Sequence, residues 1–269
     1  MHDVLGRKIT CGNGLPAFVA APKDASGKFP VIILLHERYG FTEPHFAGLA
    51  RRFASQGYVC IAPDCFYKHP DQAALHRGDT TYEMTDDESV DYMDEALRAL
   101  QEVPQADTKK ASIMGVCQTG RHPLVYAARR PLSAALVWYG SAQPREFKIS
   151  DRYPEALDDI IAKVECPVLG HFGELDHIIS LDDVTRFRNS LEKSRKSFVV
   201  RIYRDAPHGW LNDEMPGRYR QAIADKALAD QRAFLDDVLS PGFDRSRVVQ
   251  KFESDMSAQY DFTKNKRQA

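Results

Sequence analysis

Apolar residues follow two alternating rhythms along this chain. Residues 30–35 (Pro-Val-Ile-Ile-Leu-Leu) form an unbroken apolar run, the mark of a strand covered on both faces. Segments 16–21, 58–63, 111–116, 134–139, 167–172 and 198–203 read as further strands. Helical spacing fills the gaps. Phe46, Leu49, Ala50 and Phe53 share one face of a helix over 44–56, and Gly57 follows as a stop signal. Val90, Met93, Ala96, Leu97 and Leu100 mark a second helix over 86–103; others are expected over 119–129, 153–163, 181–193 and 216–239. Residues 68–85 are polar and without period. Strand–helix alternation of this kind predicts an α/β protein, a mostly parallel central sheet with helices on both faces. The expected organisation is one domain over 1–240 and a polar extension, docked or mobile, over 241–269.

Charge narrows the function classes. The chain has 36 basic and 38 acidic residues, a net charge of −2, with the signs interspersed. That gives no case for nucleic acid or for an anionic membrane surface. No stretch approaches the roughly 18 apolar residues of a spanning helix, and the first residues lack the apolar core of a secretory signal. The five cysteines (11, 60, 65, 117 and 166) are scattered, with no C-x-x-C pair. The expectation is a cytoplasmic protein with free thiols, not a disulfide framework. The histidines lack a metal spacing such as H-E-x-x-H, so neither metal nor cofactor is expected. Oligomeric state is not encoded in any pattern of this kind.

Within this frame one segment carries chemistry. Ser112-Ile-Met-Gly-Val-Cys-Gln-Thr-Gly120 runs from a strand into a helix, with a glycine two places before Cys117. This is the nucleophile elbow, G-x-S-x-G, with Cys in place of Ser and with Thr119 where the last glycine normally stands. The turn pushes the thiol above the sheet, at a helix N-terminus that favours thiolate. Burial as a small hydrophobe is the ordinary reading for Cys60 and Cys166; the elbow sets Cys117 apart. In parallel sheets, chemistry gathers at the carboxyl ends of the strands. Glu37, Cys117, Asp176 and His208 all fall there, and the order Cys…Asp…His matches nucleophile, acid and base. Asp176 competes with a capping role and with Glu174 as the orienting acid; His208 sits in a rigid Pro-His-Gly turn.

Together these segments bring a family into view. Gly-Val-Cys-Gln-Thr-Gly120, with Leu35-His-Glu-Arg-Tyr-Gly40, Ala62-Pro-Asp-Cys-Phe66, Gly173-Glu-Leu-Asp176 and Ala206-Pro-His-Gly209, resembles the dienelactone hydrolase (carboxymethylenebutenolidase) family over residues 15–238. The resemblance implies an α/β-hydrolase fold and a cofactor-free hydrolase of small esters or lactones working through a thioester acyl-enzyme. It further implies Cys117 as nucleophile, His208 as base, Asp176 as its orienter and Glu37 as the acid that holds the resting thiol. The oxyanion donors would be the backbone N–H groups of Gln118 and Arg38. The family's second carboxylate-binding arginine is replaced by Asn212, which leaves Arg77, Arg38 and Arg121 as candidates for a substrate carboxylate, with Trp210 beside them. A thioesterase, acyltransferase or promiscuous esterase on the same triad is the alternative enzyme. A binding protein that kept the fold, or a redox sensor with Cys65 as resolving thiol, is the alternative outside hydrolysis.

Overall fold

The computed structural model describes residues 1–23 and 26–255. Its frame is a nine-stranded sheet built from β1 (Val4–Thr10), β2 (Pro16–Pro22), β3 (Phe29–Leu34), β4 (Val59–Pro63), β5 (Ala106–Val116), β6 (Ala134–Trp138), β7 (Val168–Leu175), β8 (Phe198–Pro207) and β9 (Gln250–Ser254). The spatial order is β1-β2-β4-β3-β5-β6-β7-β8-β9. β1 and β2 run antiparallel to their neighbours, and every pair from β4 through β9 is parallel.

The helices are α1 (Gly48–Ser55), α2 (Gln72–Arg77), α3 (Asp86–Leu100), α4 (His122–Arg129), α5 (Leu157–Lys163), α6 (Leu181–Lys193) and α7 (Gln221–Val238). They cover both faces. In β3, Val31 and Ile33 enter one apolar cluster with residues of α3 to α6, while Ile32 and Leu34 enter the other with residues of α1 and α7. Successive side chains of a strand point to opposite faces, so a strand packed on both sides has no position left for a polar residue. That is why 30–35 reads as a solid apolar run.

Several boundaries differ from the sequence-based expectation, each for a local reason. β1 escaped notice because it is a half-exposed edge strand carrying Arg7 and Lys8. The region expected to be irregular contains α2, which Asp71 caps through Ala74 N–H and Gly78 ends at φ 79°. The helix expected over 44–56 opens with a wide π-turn at Glu43–Ala47. The one expected from 216 begins at Gln221, because residues 212–219 fold into successive tight turns. β5 to β8 all match their expected positions, with β5 beginning earlier, at Ala106, and β7 and β8 running on past their expected ends. Beyond α7, residues 250–254 dock as β9 beside β8. Part of the 241–269 extension therefore belongs to the sheet, and residues 256–269 lie outside the described residues.

Candidate active site

Five neighbouring strands, β3, β5, β6, β7 and β8, each deliver one polar side chain just past or near their carboxyl ends. These are Glu37, Cys117, Tyr139, Asp176 and His208. Cys117 is the first residue of a 3-10 turn that joins β5 to α4, and its φ is 57°. A non-glycine residue held in this left-handed region is strained, and the surrounding packing enforces the strain. A Cβ at Gly115 would overlap the Thr119 carbonyl, one at Gly140 would overlap the Cys117 carbonyl, and one at Gly120 would come within 2.8 Å of the Gly140 Cα. The close approach expected of position 119 is therefore made at Gly120. Thr119 does something else: its hydroxyl accepts from Val116 N–H at 3.0 Å and donates to the His36 carbonyl at 2.9 Å. That bond ties the elbow to the loop after β3.

The same loop is held from within. His36 donates from Nδ1 to the Glu37 carbonyl at 2.9 Å and accepts Cys65 N–H on Nε2 at 3.0 Å. Both ring nitrogens are thus spoken for in the neutral tautomer, and burial pushes the imidazole pKa down. The bonds converge on residues 36–38, which carry the Arg38 N–H. Gln118, the second residue of the 3-10 turn, has a backbone N–H of the kind that finds no partner inside a helix start. Arg38 and Gln118 both line the cavity that Cys117 faces.

His208 stands between a carboxylate and the sulfur. Its Nδ1 lies 2.8 Å from Asp176 Oδ2 and its Nε2 lies 3.0 Å from Cys117 Sγ. Asp176 is itself fixed: Oδ1 accepts the N–H groups of Ile178 and Ile179 at 2.8 and 2.9 Å, and its side chain is 1% exposed. Burial pulls the His208 pKa down, but the bonds to Asp176 and Cys117 outweigh it and lift the group to about 10. The competing acid, Glu174, points elsewhere, accepting Asp205 N–H at 3.0 Å.

Glu37 is 2% exposed. Tyr139 O–H donates to its Oε1 at 2.8 Å and Asn212 Nδ2 donates to its Oε2 at 2.6 Å. Among the described residues, no hydrogen bond joins Glu37 to Cys117, so the structure does not bring together the carboxyl–thiol pair that the resemblance implied. Burial and the adjacent carboxyl push the Tyr139 phenol well above its ordinary range, which keeps it a donor.

The thiol opens into a cavity of about 220 Å³, whose lining includes Arg38, Glu83, Gln118, Tyr139, Arg145 and Arg152. Arg152 pairs with Glu83 at 2.6 Å. Arg145 has no ion pair among the described residues, and the Arg38 Nε is buried without a hydrogen-bond partner. Three residues anticipated around the substrate lie elsewhere. Arg121 is buried, locked to both Asp86 oxygens at 2.9 Å and to the Glu155 carbonyl at 2.7 Å. Its charge is spent on joining the elbow to α3. Trp210 is fully buried against Trp138, Tyr139 and Tyr203, beneath the site. Arg77 lines a separate, larger cleft and pairs with Asp79 at 2.8 Å. The sequence reading missed Tyr139, Arg145 and Arg152. Tyr139 was within reach of the strand-end rule that found the others; nothing in the loop composition singled out the two arginines. Cys65 is fully buried and burial pushes its thiol well up, poor placement for a resolving thiol.

Comparison with known proteins extends the picture. The sequence model of the dienelactone hydrolase family matches residues 15–239. A Salmonella typhimurium protein provisionally named a carboxymethylenebutenolidase is 31% identical over 220 residues, 79% of this chain and 79% of its own. A Yersinia pestis protein of the same provisional name is 29% identical over 239 residues, covering 84% of this chain and 88% of the relative. Among solved structures, one from Klebsiella pneumoniae, provisionally assigned as a dienelactone hydrolase, superposes with a TM-score of 0.77 at 26% identity, over 87% of this chain and 99% of that one. The architecture is the α/β-hydrolase fold.

Proposed function

This chain belongs to the dienelactone hydrolase family and is a carboxylic-ester or lactone hydrolase, and on that premise we propose that Cys117 is its nucleophile, His208 its acid–base and Asp176 the group that orients His208. One observation carries this reading: the unbroken line of contacts from Asp176 Oδ2 through the His208 ring to Cys117 Sγ, at 2.8 and 3.0 Å, ending in a strained elbow that opens onto a cavity.

With the shared proton on His208, the sulfur attacks the substrate carbonyl carbon as thiolate. The carbonyl oxygen takes up the displaced electron pair and accepts from the Gln118 and Arg38 N–H groups; each donor of this kind is worth on the order of 3 kcal/mol in the transition state. The tetrahedral intermediate collapses as the C–O bond to the leaving alkoxide breaks, and His208 Nε2 protonates that oxygen. In a lactone the alkoxide stays tethered to the acyl group. His208, now neutral, takes a proton from water, the hydroxide adds to the thioester, and sulfur departs with the C–S electron pair. Arg38 and Arg145, without ion-pair partners among the described residues, line the cavity and favour a substrate bearing a carboxylate near the scissile bond.

A panel of lactones and small esters, some with and some without a carboxylate, tests the reading. During turnover of the best substrate, mass spectrometry should find the acyl adduct on the peptide containing Cys117. The Cys117→Ala variant should keep its thermal midpoint and lose turnover. Normal turnover in that variant would refute the assignment.

A further inference from the structure

Glu37 is a buried acid beside the thiol that the mechanism leaves idle, and its surroundings are specific. The residue is the third after β3, and its carboxyl group faces the same edge of the sheet as the thiol. Both of its oxygens are nonetheless taken, by the Tyr139 phenol at 2.8 Å and the Asn212 amide at 2.6 Å. Tyr139 and Asn212 come from different strand ends and reach the carboxyl from different sides. Tyr139 is held in turn: its φ is 36°, its ring packs edge-on against His208 at 5.1 Å, and Trp210 supports it at 5.4 Å. Asn212 is anchored by its own turn, with its N–H donating to the Gly209 carbonyl at 3.1 Å and its side-chain oxygen accepting Glu214 N–H at 2.9 Å. A buried carboxylate with two satisfied oxygens has no incentive to turn toward a neighbouring sulfur, because leaving either donor unpaired costs free energy.

We infer that Tyr139 and Asn212 are positioning residues that clamp Glu37 away from Cys117, so that the thiol is paired with His208 and reactive before any substrate enters. This rests on the reading of Cys117 and His208 as nucleophile and acid–base. It departs from what the resemblance implied, in which the acid after β3 holds the resting thiol until substrate releases it. A carboxylate bonded to S–H keeps the proton on sulfur; a clamped one cannot hold that proton.

The test is the rate at which iodoacetamide alkylates Cys117 in the substrate-free protein, read by peptide mass spectrometry; here a C–S bond forms as iodide leaves. In the wild type at pH 6.5, alkylation should run at least about tenfold faster than in His208→Gln, which lacks the ring that faces the sulfur. It should not accelerate when a slowly hydrolysed ester is added. Releasing the clamp with Tyr139→Phe plus Asn212→Leu should slow alkylation roughly tenfold or more by freeing Glu37, and adding Glu37→Gln should restore the rate. A purely structural role would not show that rescue. Should the released variant fail to fold, the wild-type measurement decides alone. Slow wild-type alkylation that speeds up on ester binding would overturn the inference while leaving the catalytic assignment intact. Full turnover in Cys117→Ala would instead remove the assignment beneath it.

Discussion

Two hollows lie on either side of the loop after β3, and the larger holds less chemistry. The cleft that Arg77 lines has a volume of about 820 Å³ and aromatic walls at Phe18, Phe41 and Phe46; the cavity at Cys117 has about 220 Å³. Size and apolar lining favour the cleft as a ligand site. The lysine and arginine that line it are already paired, however: Lys8 with Glu43 and Arg77 with Asp79. The small cavity gathers a thiol on a strained turn, an imidazole lifted to about 10, and two arginines without ion-pair partners among the described residues. Consecutive residues, Arg38 and Tyr39, face the two hollows, and the chain Tyr139–Glu37–Asn212 forms the wall between them. The difference teaches that convergence of unsatisfied, reactive groups locates a site, whereas volume alone does not.

Substitutions on each side of this wall should break the symmetry in a graded way. The largest effect belongs to Cys117→Ala, with kcat falling by about 10⁴ or more, in line with removal of the attacking atom from other covalent hydrolases. A residual rate within tenfold of the wild type would move the chemistry out of the small cavity. Asp176→Asn comes next. It removes the carboxylate that receives Nδ1–H and permits the wrong tautomer, so kcat should fall by roughly 10² to 10⁴ with little change in KM. Equal turnover would mean that Asp176 serves only as the cap of residues 178 and 179.

The elbow makes a structural version of the same comparison. Gly140→Ala would drive a methyl into the Cys117 carbonyl, and overpacking of this kind costs about 1–3 kcal/mol. The thermal midpoint should drop, and kcat with it, because the strained turn must shift. Gly217 has open space around it, so Gly217→Ala should stay within about 0.5 kcal/mol of the wild type. Comparable losses in both variants would show that the elbow packing is looser than its geometry implies.

How much of this was legible in the sequence follows from where periodicity and spacing operate. The doubly covered strands announce themselves because burial on both faces forbids polar residues, as in 30–35. β1 and β9 do not, because an edge strand keeps polar positions and has no burial pattern to distinguish it from a loop. The strand-end rule located Cys117, Asp176, His208 and Glu37 along the chain, but it says nothing about which donor a carboxyl group prefers. That choice depends on Tyr139 and Asn212, which meet Glu37 across 102 and 175 residues of sequence. Arginines are the hardest case. Arg121, Arg77 and Arg145 are equivalent letters in a sequence, and only the fold decides that the first meets Asp86, the second Asp79 and the third open cavity.

The arginines therefore give the finest test of the two-hollow comparison. Arg145 contributes a cationic head to the cavity wall and is otherwise exposed. A charge-assisted contact to a substrate carboxylate is worth roughly 1.5–3 kcal/mol when well formed and less when solvent reaches it. Arg145→Ala should accordingly raise KM for a carboxylate-bearing ester by about tenfold, with kcat nearly unchanged, because the contact is present in both ground and transition states. Neutral esters of the same acyl chain should be indifferent to it. Arg77→Ala should change neither parameter for either substrate by more than about twofold, since its side chain is 62% exposed and already paired. The reverse pattern, with Arg77 selective for the carboxylate and Arg145 silent, would mean that substrate reaches Cys117 through the large cleft, and that the wall drawn by Glu37 opens during catalysis.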